Sequence, residues 1–408
     1  MSKVVVLGGC GGVGSVAVRA LASADYFDEL VIADVRGDEA KSAASAYNKT
    51  GVSGVAVDAT SASSLAATIK GASVVLNCIG PFYRFGPPTL QAAIHARINY
   101  VDICDDLKPT VRMLEMDDAA RQAGICALIG MGNSPGLANV FARLCADVLL
   151  DRVESVDIMH IHGGEPEEGP AVVKHRIHAM VNDIPLFIDG KFIQVRQLDA
   201  SGQAYVQDTE FRNVGTFPVY PYPHPETITL PKHIPGLRRA TNLGVIFPLS
   251  YFRLTQDMVR VGACSEEPIV VQGQKVVPLE FSVAHVISQR ARLLKEAGVS
   301  GPGGCLKVVV GGYKGGEQRT IVLSLSSKSA GAGEGTGIPA AAGAVLMGRG
   351  AITAKGVVPP EAAVQPFEVL GLAMEMWKRF SSGGAGDSVH VEQIDAHGNR
   401  KEIPLAGN

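Results

Sequence analysis

Lys3-Val4-Val5-Val6-Leu7-Gly8-Gly9-Cys10-Gly11-Gly12-Val13-Gly14 decides the reading of the chain. The apolar run is too short for a helix and rich in β-branched residues, so it reads as a buried strand. Behind it, Gly9, Gly11 and Gly14 make a GxGxxG turn at the start of the next helix, Val13 to Ala24. Such a turn brings backbone amides and the positive end of a helix dipole against a pyrophosphate. The second strand, Leu30 to Asp34, ends in Asp34, 20 residues beyond Gly14, where a carboxylate accepts from both hydroxyls of an adenosine ribose. Asp34 would repel a 2′-phosphate, which favours NAD; Arg36, two residues on, leaves NADP possible. The cofactor set expected on this pattern is Gly9, Cys10, Gly11, Gly12, Val13, Gly14, Asp34 and Arg36.

Further strands read at Gly54 to Asp58, Val74 to Asn77, Tyr100 to Asp102 and Cys126 to Leu128. Helices read at Asp38 to Asn48, Ser61 to Ile69, Gly86 to Ala96 and Leu114 to Ala123. Strands alternating with helices demand a parallel sheet, because each crossover needs a helix. The fold expected for residues 1–135 is therefore α/β, a Rossmann doubly wound parallel sheet. Asp58, at the carboxyl edge of the third strand, either caps the following helix or approaches the adenine. Cys78, Ile79 and Gly80 follow the fourth strand and are placed on the nicotinamide side of the switch-point crevice.

The texture changes after Gly136. Val153 to His162, Phe187 to Val195, Met258 to Ala263, Lys307 to Gly311 and Arg319 to Ser326 read as strands separated by turn clusters. This predicts a second α/β domain over 136–337, built on a mixed sheet. Within it Phe217 to Pro235 holds six prolines and reads as an ordered loop rather than a regular helix. Ile338 to Arg349 is helical in propensity, Ser381 to Gly386 reads as a connector, and Asp395 to Asn399 as a hairpin turn within a closing extension, 378–408.

Composition bounds the function. The chain has 408 residues, of which 46% are hydrophobic and 19% charged, which fits a folded globular protein and excludes a disordered or collagenous one. Lys and Arg number 37 against 40 Asp and Glu, so the basic excess that binds a phosphate backbone is missing and nucleic acid is not an expected partner. No run of about 18 apolar residues occurs, so no membrane partner is expected. The apolar run behind Met1 is too short for a signal peptide, and seven scattered cysteines without a CxxC pair fit thiols in a reducing cytoplasm. His160 and His162 alternate along one strand face, but no third ligand is nearby in sequence, so no metal is expected.

Gly8-Gly9-Cys10-Gly11-Gly12-Val13-Gly14-Ser15, Asn77 to Phe82, Tyr100-Val101-Asp102 and Gly130 to Asn139 together resemble the saccharopine dehydrogenase-like family, which includes saccharopine reductases, lysine 6-dehydrogenases and carboxynorspermidine dehydrogenases. The stretches Gly335 to Ala340 and Lys355 to Glu361 are similar to its closing segment. The resemblance implies an N-terminal Rossmann domain, a second domain carrying the substrate and the homodimer contact, and a late segment, 338–377, packed back on the first domain. It implies hydride transfer between NAD(P) and the C–N carbon of an amino acid or N-substituted amino acid. Where the reductases have a GLDPG-type turn this chain has Gly132-Asn133-Ser134-Pro135-Gly136, so the acid they place there is a hydroxyl, Ser134. That loss motivates an alternative, a non-catalytic NAD-binding sensor or assembly subunit. Locally, Ser134 reads as a helix N-cap with Pro135 in the first turn.

The C–N reaction needs a proton acceptor, an anion for the substrate's cation, and a cation for its carboxylate. Lys174 or His175 is the expected acid or base, the resemblance implying a lysine near the site in this stretch; otherwise Lys174-His175-Arg176 is a solvated basic turn. Asp105 and Asp106 either take part at the substrate's ammonium, with Asp106 in the catalytic set, or cap the helix near Pro109. Tyr222, between prolines with Tyr220 and His224, offers a wall or a carboxylate contact, or serves packing alone. Arg238, with Arg239, would bind a distal carboxylate or face water. Epimerase chemistry, which would want a YxxxK pair, is disfavoured: Tyr47, Tyr83 and Tyr100 lack the lysine.

Overall fold

The first strand, β1 (Lys3–Leu7), lies at the centre of a parallel sheet, Val4 to Leu7 fully buried. The computed structural model describes residues 2–47, 49–327, 331–380 and 389–405. Around β1 stand β2 (Glu29–Asp34), β3 (Val52–Ala56), β4 (Val74–Asn77), β5 (Asn99–Asp102) and β6 (Cys126–Leu128). A run buried on both faces needs no polar alternation, which is why β1, β2 and β4 are nearly continuous in Val, Ile and Leu.

The second sheet is built from β7 (Arg152–Gly163), β8 (Ile184–Ile188), β9 (Lys191–Val195), β10 (Gln207–Phe211), β11 (Gly215–Pro221) and β12 (Arg239–Phe247). After a separate small hairpin, β13 (Ile269–Val271) and β14 (Gln274–Val276), come β15 (Gly303–Lys314) and β16 (Glu317–Ser327). The chain then gives β17 (Gly356–Val358) to the first sheet, and β18 (Val389–Asp395) and β19 (Arg400–Glu402) to the second.

The first sheet has seven parallel strands in the order β17-β6-β5-β4-β1-β2-β3, with neighbouring registers such as Val4 against Leu30 and Val74. This is the doubly wound order with one further strand, and its direction of winding reverses between β1 and β4, where the carboxyl ends open a crevice. The second sheet has ten strands along the path β10-β11-β12-β7-β15-β16-β18-β19 with β8 and β9 attached at β12; β7 and β12 are parallel and the rest antiparallel, so it is mixed. Apolar residues of both sheets share one core, in which Val4, Phe141, Val156 and Val345 are all fully buried.

The late helix Ala332–Gly348 ties the two together. It is buried along Gly337 to Met347 and packs against the helix Gly12–Ala24, where a side chain at Gly337 would sit 2.8 Å from the Val13 carbonyl.

Several local expectations are corrected. Met258 to Ala263 is not a strand: the helix Leu249–Arg260 runs through Arg260, burying Tyr251, Phe252, Thr255 and Gln256 at helical spacing. Phe187 to Val195 is two strands around a turn in which Asp189 has φ of 51°. Leu114 to Ala123 is two helices, Leu107–Leu114 and Asp117–Ala123. The proline-rich segment holds β11 and a regular helix, Glu226–His233, because Pro231 in its later part forfeits only one intrahelical bond. The connector read at Ser381 to Gly386 lies outside the described residues.

Candidate active site

Gly8 to Gly11 turn the chain from β1 into the helix Gly12–Ala24, whose N-cap, Gly11, has no side-chain cap. A Cβ at Gly14 would stand 2.0 Å from the Gly8 carbonyl oxygen, so only glycine lets the helix sit this close to the turn. Asp34 is buried at the end of β2; its Oδ2 accepts from the Cys10 amide at 3.0 Å and its Oδ1 from the Arg36 amide at 3.1 Å. Oδ1 also accepts from Arg36 Nε at 3.2 Å, so the second lone pair remains on Oδ2. The Arg36 guanidinium, half exposed, bridges Asp34 at 3.2 Å and Glu39 at 2.8 Å. An uncapped helix start, a turn that excludes side chains and a buried carboxylate on the neighbouring strand fit a dinucleotide.

Asp58 neither caps the helix Ala62–Ile69 nor stays free. Ser61 is the N-cap, and Asp58 Oδ1 accepts from the Thr60 amide and hydroxyl at 2.9 and 2.6 Å. At the end of β4, Asn77 Oδ1 accepts from the Ile79 amide at 3.0 Å while its amide donates to Tyr100 Oη at 2.9 Å, which shapes Cys78 to Gly80. Burial pushes the Cys78 thiol up to about 12, so it stays a thiol. Asp102, fully buried, accepts from the Cys104 and Gly130 amides at 3.0 and 2.8 Å and thereby holds together the two loops that carry Asp105 and Ser134. Burial pushes its carboxyl up to about 6 against those bonds.

Across the crevice the second sheet supplies the opposite wall. A cavity of about 260 Å³ is lined by Val13, Phe82 and Ile103 on one side and by His160, His175, Arg176, Tyr222 and His224 on the other. Asp105 and Ser134 join it from the two loops.

His175, on the helix Pro170–Val181, stands between two carboxylates. Its Nδ1 lies 2.7 Å from Asp106 Oδ1, and its Nε2 3.7 Å from Asp105 Oδ2 without a hydrogen-bond partner. Burial pulls the imidazole down, but Asp105 and Asp106 outweigh it and raise it to about 9. Asp106 is correspondingly held below the usual carboxylate range by His175 despite its burial. Asp105 is raised, by burial first and then by Asp106, with His175 opposing. The alternative that Asp106 caps its helix through its side chain is corrected: it occupies the N-cap position, but its carboxylate turns to His175.

Arg176 is 2% exposed, ion-paired with Glu168 and set over the Tyr251 ring at 5.3 Å. Its Nη1 is buried without a partner. A second cluster lies beside it: the His224 and His160 rings stack with centroids 5.1 Å apart, and His160 Nε2 meets Asn242 Oδ1 at 3.1 Å. Burial and the nearby His162 pull His160 down to about 3, and burial and His160 pull His224 well below its ordinary value, so both rings are neutral. The Ser134 hydroxyl donates to Glu226 and lies 3.4 Å from His224 Nδ1. Ser134 is therefore not an N-cap: Gly136 holds that position on the helix Leu137–Leu144.

His175, Asp105, Asp106, Ser134 and Tyr222 are thus brought together. Lys174 and Arg238 are not. Lys174 points away and pairs with Glu280 at 2.5 Å, since neighbours on a helix diverge by about 100°. Arg238 is exposed just before β12, its amide bound to the Glu154 carbonyl, while Arg239 pairs with Asp157 at 2.8 Å. Sequence reasoning missed Glu226, Asn242 and Glu168; the one available signal for Glu226 was a carboxylate two residues after His224 between prolines. Among the described residues one trio has metal-ligand chemistry, Asp105, His175 and His224, with donor atoms within 4.8 Å of one another.

All seven cysteines are free, and among the described residues no helix is long and apolar enough to cross a membrane.

Comparison with known proteins supports the architecture. The chain is similar to the carboxyaminopropylagmatine dehydrogenase of Synechocystis sp., 26% identical over 370 residues, covering 86% of this chain and 90% of that one. It is similar to the carboxynorspermidine synthase of Vibrio alginolyticus, 26% identical over 332 residues, covering 74% and 76%. Its fold matches the apo saccharopine dehydrogenase (L-Glu forming) of Saccharomyces cerevisiae with a TM-score of 0.67 at 16% identity, over 97% of this chain and 100% of that one. Residues 4–128 match the family model of the saccharopine dehydrogenase NADP binding domain.

Proposed function

We propose that the protein is an NAD(P)-dependent oxidoreductase acting on the C–N bond of an amino acid or N-substituted amino acid. One observation carries the reading: His175, half-buried between Asp105 and Asp106, and an unpaired Arg176 N–H share a cavity with Val13, the residue inside the glycine turn. The nicotinamide, when bound, supplies the hydride acceptor or donor. The chain's own groups do the rest. Arg176 holds the substrate carboxylate through its free Nη1, Glu168 and Tyr251 fixing its plane. Asp105 faces the amine, and His175, oriented by Asp106, gives a proton to the leaving nitrogen or takes it back in the reverse direction.

Among substrates, carboxylated polyamine conjugates stand beside lysine and saccharopine, because the relatives that span most of the chain are named for such compounds. Asp34, buried at the end of β2, favours NAD because a carboxylate there would repel a 2′-phosphate, and Arg36 beside it keeps NADP in the test. The test follows absorbance of the reduced nicotinamide with both coenzymes against carboxynorspermidine, carboxyaminopropylagmatine, saccharopine and lysine. Turnover with one of them supports the reading; no turnover with any amine, in either direction, refutes it.

A further inference from the structure

Glu226 is a second titratable group, and nothing above uses it. It is fully buried at the start of the helix Glu226–His233, and its Oε2 has no hydrogen-bond partner. An ionised carboxylate so placed would carry an uncompensated charge, at a cost that favours the acid. Its Oε1 meets the Ser134 hydroxyl and the Asn242 amide, the latter at 3.2 Å, and that amide also donates to Ser134 Oγ at 3.1 Å. Ser134 and His224 line the cavity, and Glu226 lies behind them.

From this geometry we infer that Glu226 is a proton store for the cavity, exchanging its proton through the Ser134 hydroxyl and the neutral His224 ring. The groups facing it are Ser134 and Asn242 on Oε1, and His224 with Nδ1 4.0 Å from Oε2 and His160 stacked behind. Glu361 faces it from the helix Pro360–Ala363, itself buried and touched by the field of Arg143, and Asp105 from the cavity side. Burial, then Glu361 and Asp105, push the Glu226 carboxyl up to about 8, Ser134 opposing. Among the described residues no Lys or Arg pairs with Glu226, so its burial favours the acid over the carboxylate.

The inference rests on the C–N reading and adds a second proton source to it. In the direction that builds the C–N bond, a carbinolamine loses its hydroxyl: the C–O bond breaks, its electron pair leaves with oxygen, and oxygen needs a proton to depart as water. With Glu226 in its acid form the Ser134 hydroxyl turns from Oε1 to His224 Nδ1, 3.4 Å away; Glu226 then gives its proton to Ser134 Oγ, Ser134 gives its own to His224 Nδ1, and the imidazole releases one from its other nitrogen to the departing oxygen. An iminium and water result, and Glu226 is left as carboxylate until the path runs backward. Glu226 acts through its neighbours and is a positioning and proton-holding residue rather than a catalytic one.

Glu226→Gln keeps the shape and both contacts on Oε1 but cannot titrate. On the full-length protein, kcat should fall roughly a hundredfold with KM within about threefold, and the limb of the kcat–pH profile near 8 should vanish. Ser134→Ala, which cuts the path and leaves Glu226 in place, should lower kcat similarly, and Ser134→Thr should restore most of it. Infrared difference spectra between acid and alkaline pH give a readout free of turnover: a carboxylic acid C=O band lost in Glu226→Gln. If Glu226→Gln keeps kcat within about threefold with its limb intact, or if folded wild-type protein lacks that band at neutral pH, the inference is overturned. Should Glu226→Gln not fold, Ser134→Ala with unchanged kcat and pH profile overturns it equally. Absence of turnover in the wild type with the band present refutes the C–N reading and not the stored proton.

Discussion

Replacing Asp106 by Asn tests the charge arrangement at its centre. The substitution preserves size and one acceptor oxygen but removes one of the two charges that hold the His175 proton. A rise from the ordinary 6.5 to about 9, at about 1.4 kcal/mol per pH unit, makes the protonated imidazole worth about 3 kcal/mol to the folded state. Because the folded value is raised, that contribution is complete below about 6.5 and is lost as pH climbs through about 9. Asp106 works in the opposite sense: its lowered carboxyl stabilises above the usual carboxylate range and ceases to as pH falls through it. The pair therefore contributes most between roughly pH 4 and 6.5.

An opposite charge at hydrogen-bond distance is worth about 1–3 pH units, so Asp106→Asn should drop the His175 titration by about 1–2 units, Asp105 at 3.7 Å retaining the rest. Urea unfolding should show the variant less stable by about 2 kcal/mol at pH 6 and by far less at pH 10. Titration of the His175 ring protons by NMR measures the cause directly. If the stability difference is the same at both pH values, or the His175 midpoint does not move, the assignment of that proton to the carboxylates is wrong.

Gly14→Ala drives a methyl into the Gly8 carbonyl, so calorimetry should find affinity for NAD and NADP reduced by about tenfold or more; undiminished binding would refute the role of the turn. Arg176→Lys keeps the charge buried against Glu168 but loses the free fork, and KM for carboxylated amines should rise roughly tenfold while that of a decarboxylated analogue holds. Asp34→Ala frees the space beside Arg36, and the ratio of kcat/KM for NADP over NAD should grow by about tenfold; an unchanged ratio would remove Asp34 from coenzyme choice. Lys174→Ala breaks only the ion pair with the exposed Glu280, and both stability, within about 1 kcal/mol, and turnover should hold.

How much was legible follows the range of the interactions involved. The nucleotide half could be read because its signals are local: four buried apolar residues, a glycine turn and a carboxylate at fixed spacing each report on their own neighbourhood. Errors came where a local rule met a tertiary override. Six prolines argued against a helix, yet Glu226–His233 forms because burial of Thr227, Thr229 and Leu230 outweighs one lost bond. Ser134 had the signature of a helix cap, yet its hydroxyl is drawn 92 residues away to Glu226.

The sequence by itself determined the α/β class, the doubly wound parallel first sheet, the dinucleotide turn and the presence of a second, mixed sheet. These depend on periodicity and spacing, which the chain carries in linear order. Which polar groups meet was decided only by the tertiary structure. Asp106 and His175 lie 69 residues apart, Ser134 and Asn242 108, and Asn139 and Glu361 222. Of two adjacent bases, His175 lines the cavity and Lys174 turns away from it to pair with Glu280. A helix rotates successive side chains by about 100°, so a basic run names the candidates while only the packing of the helix Pro170–Val181 against the helices Leu249–Arg260 and Pro278–Glu296 selects between them.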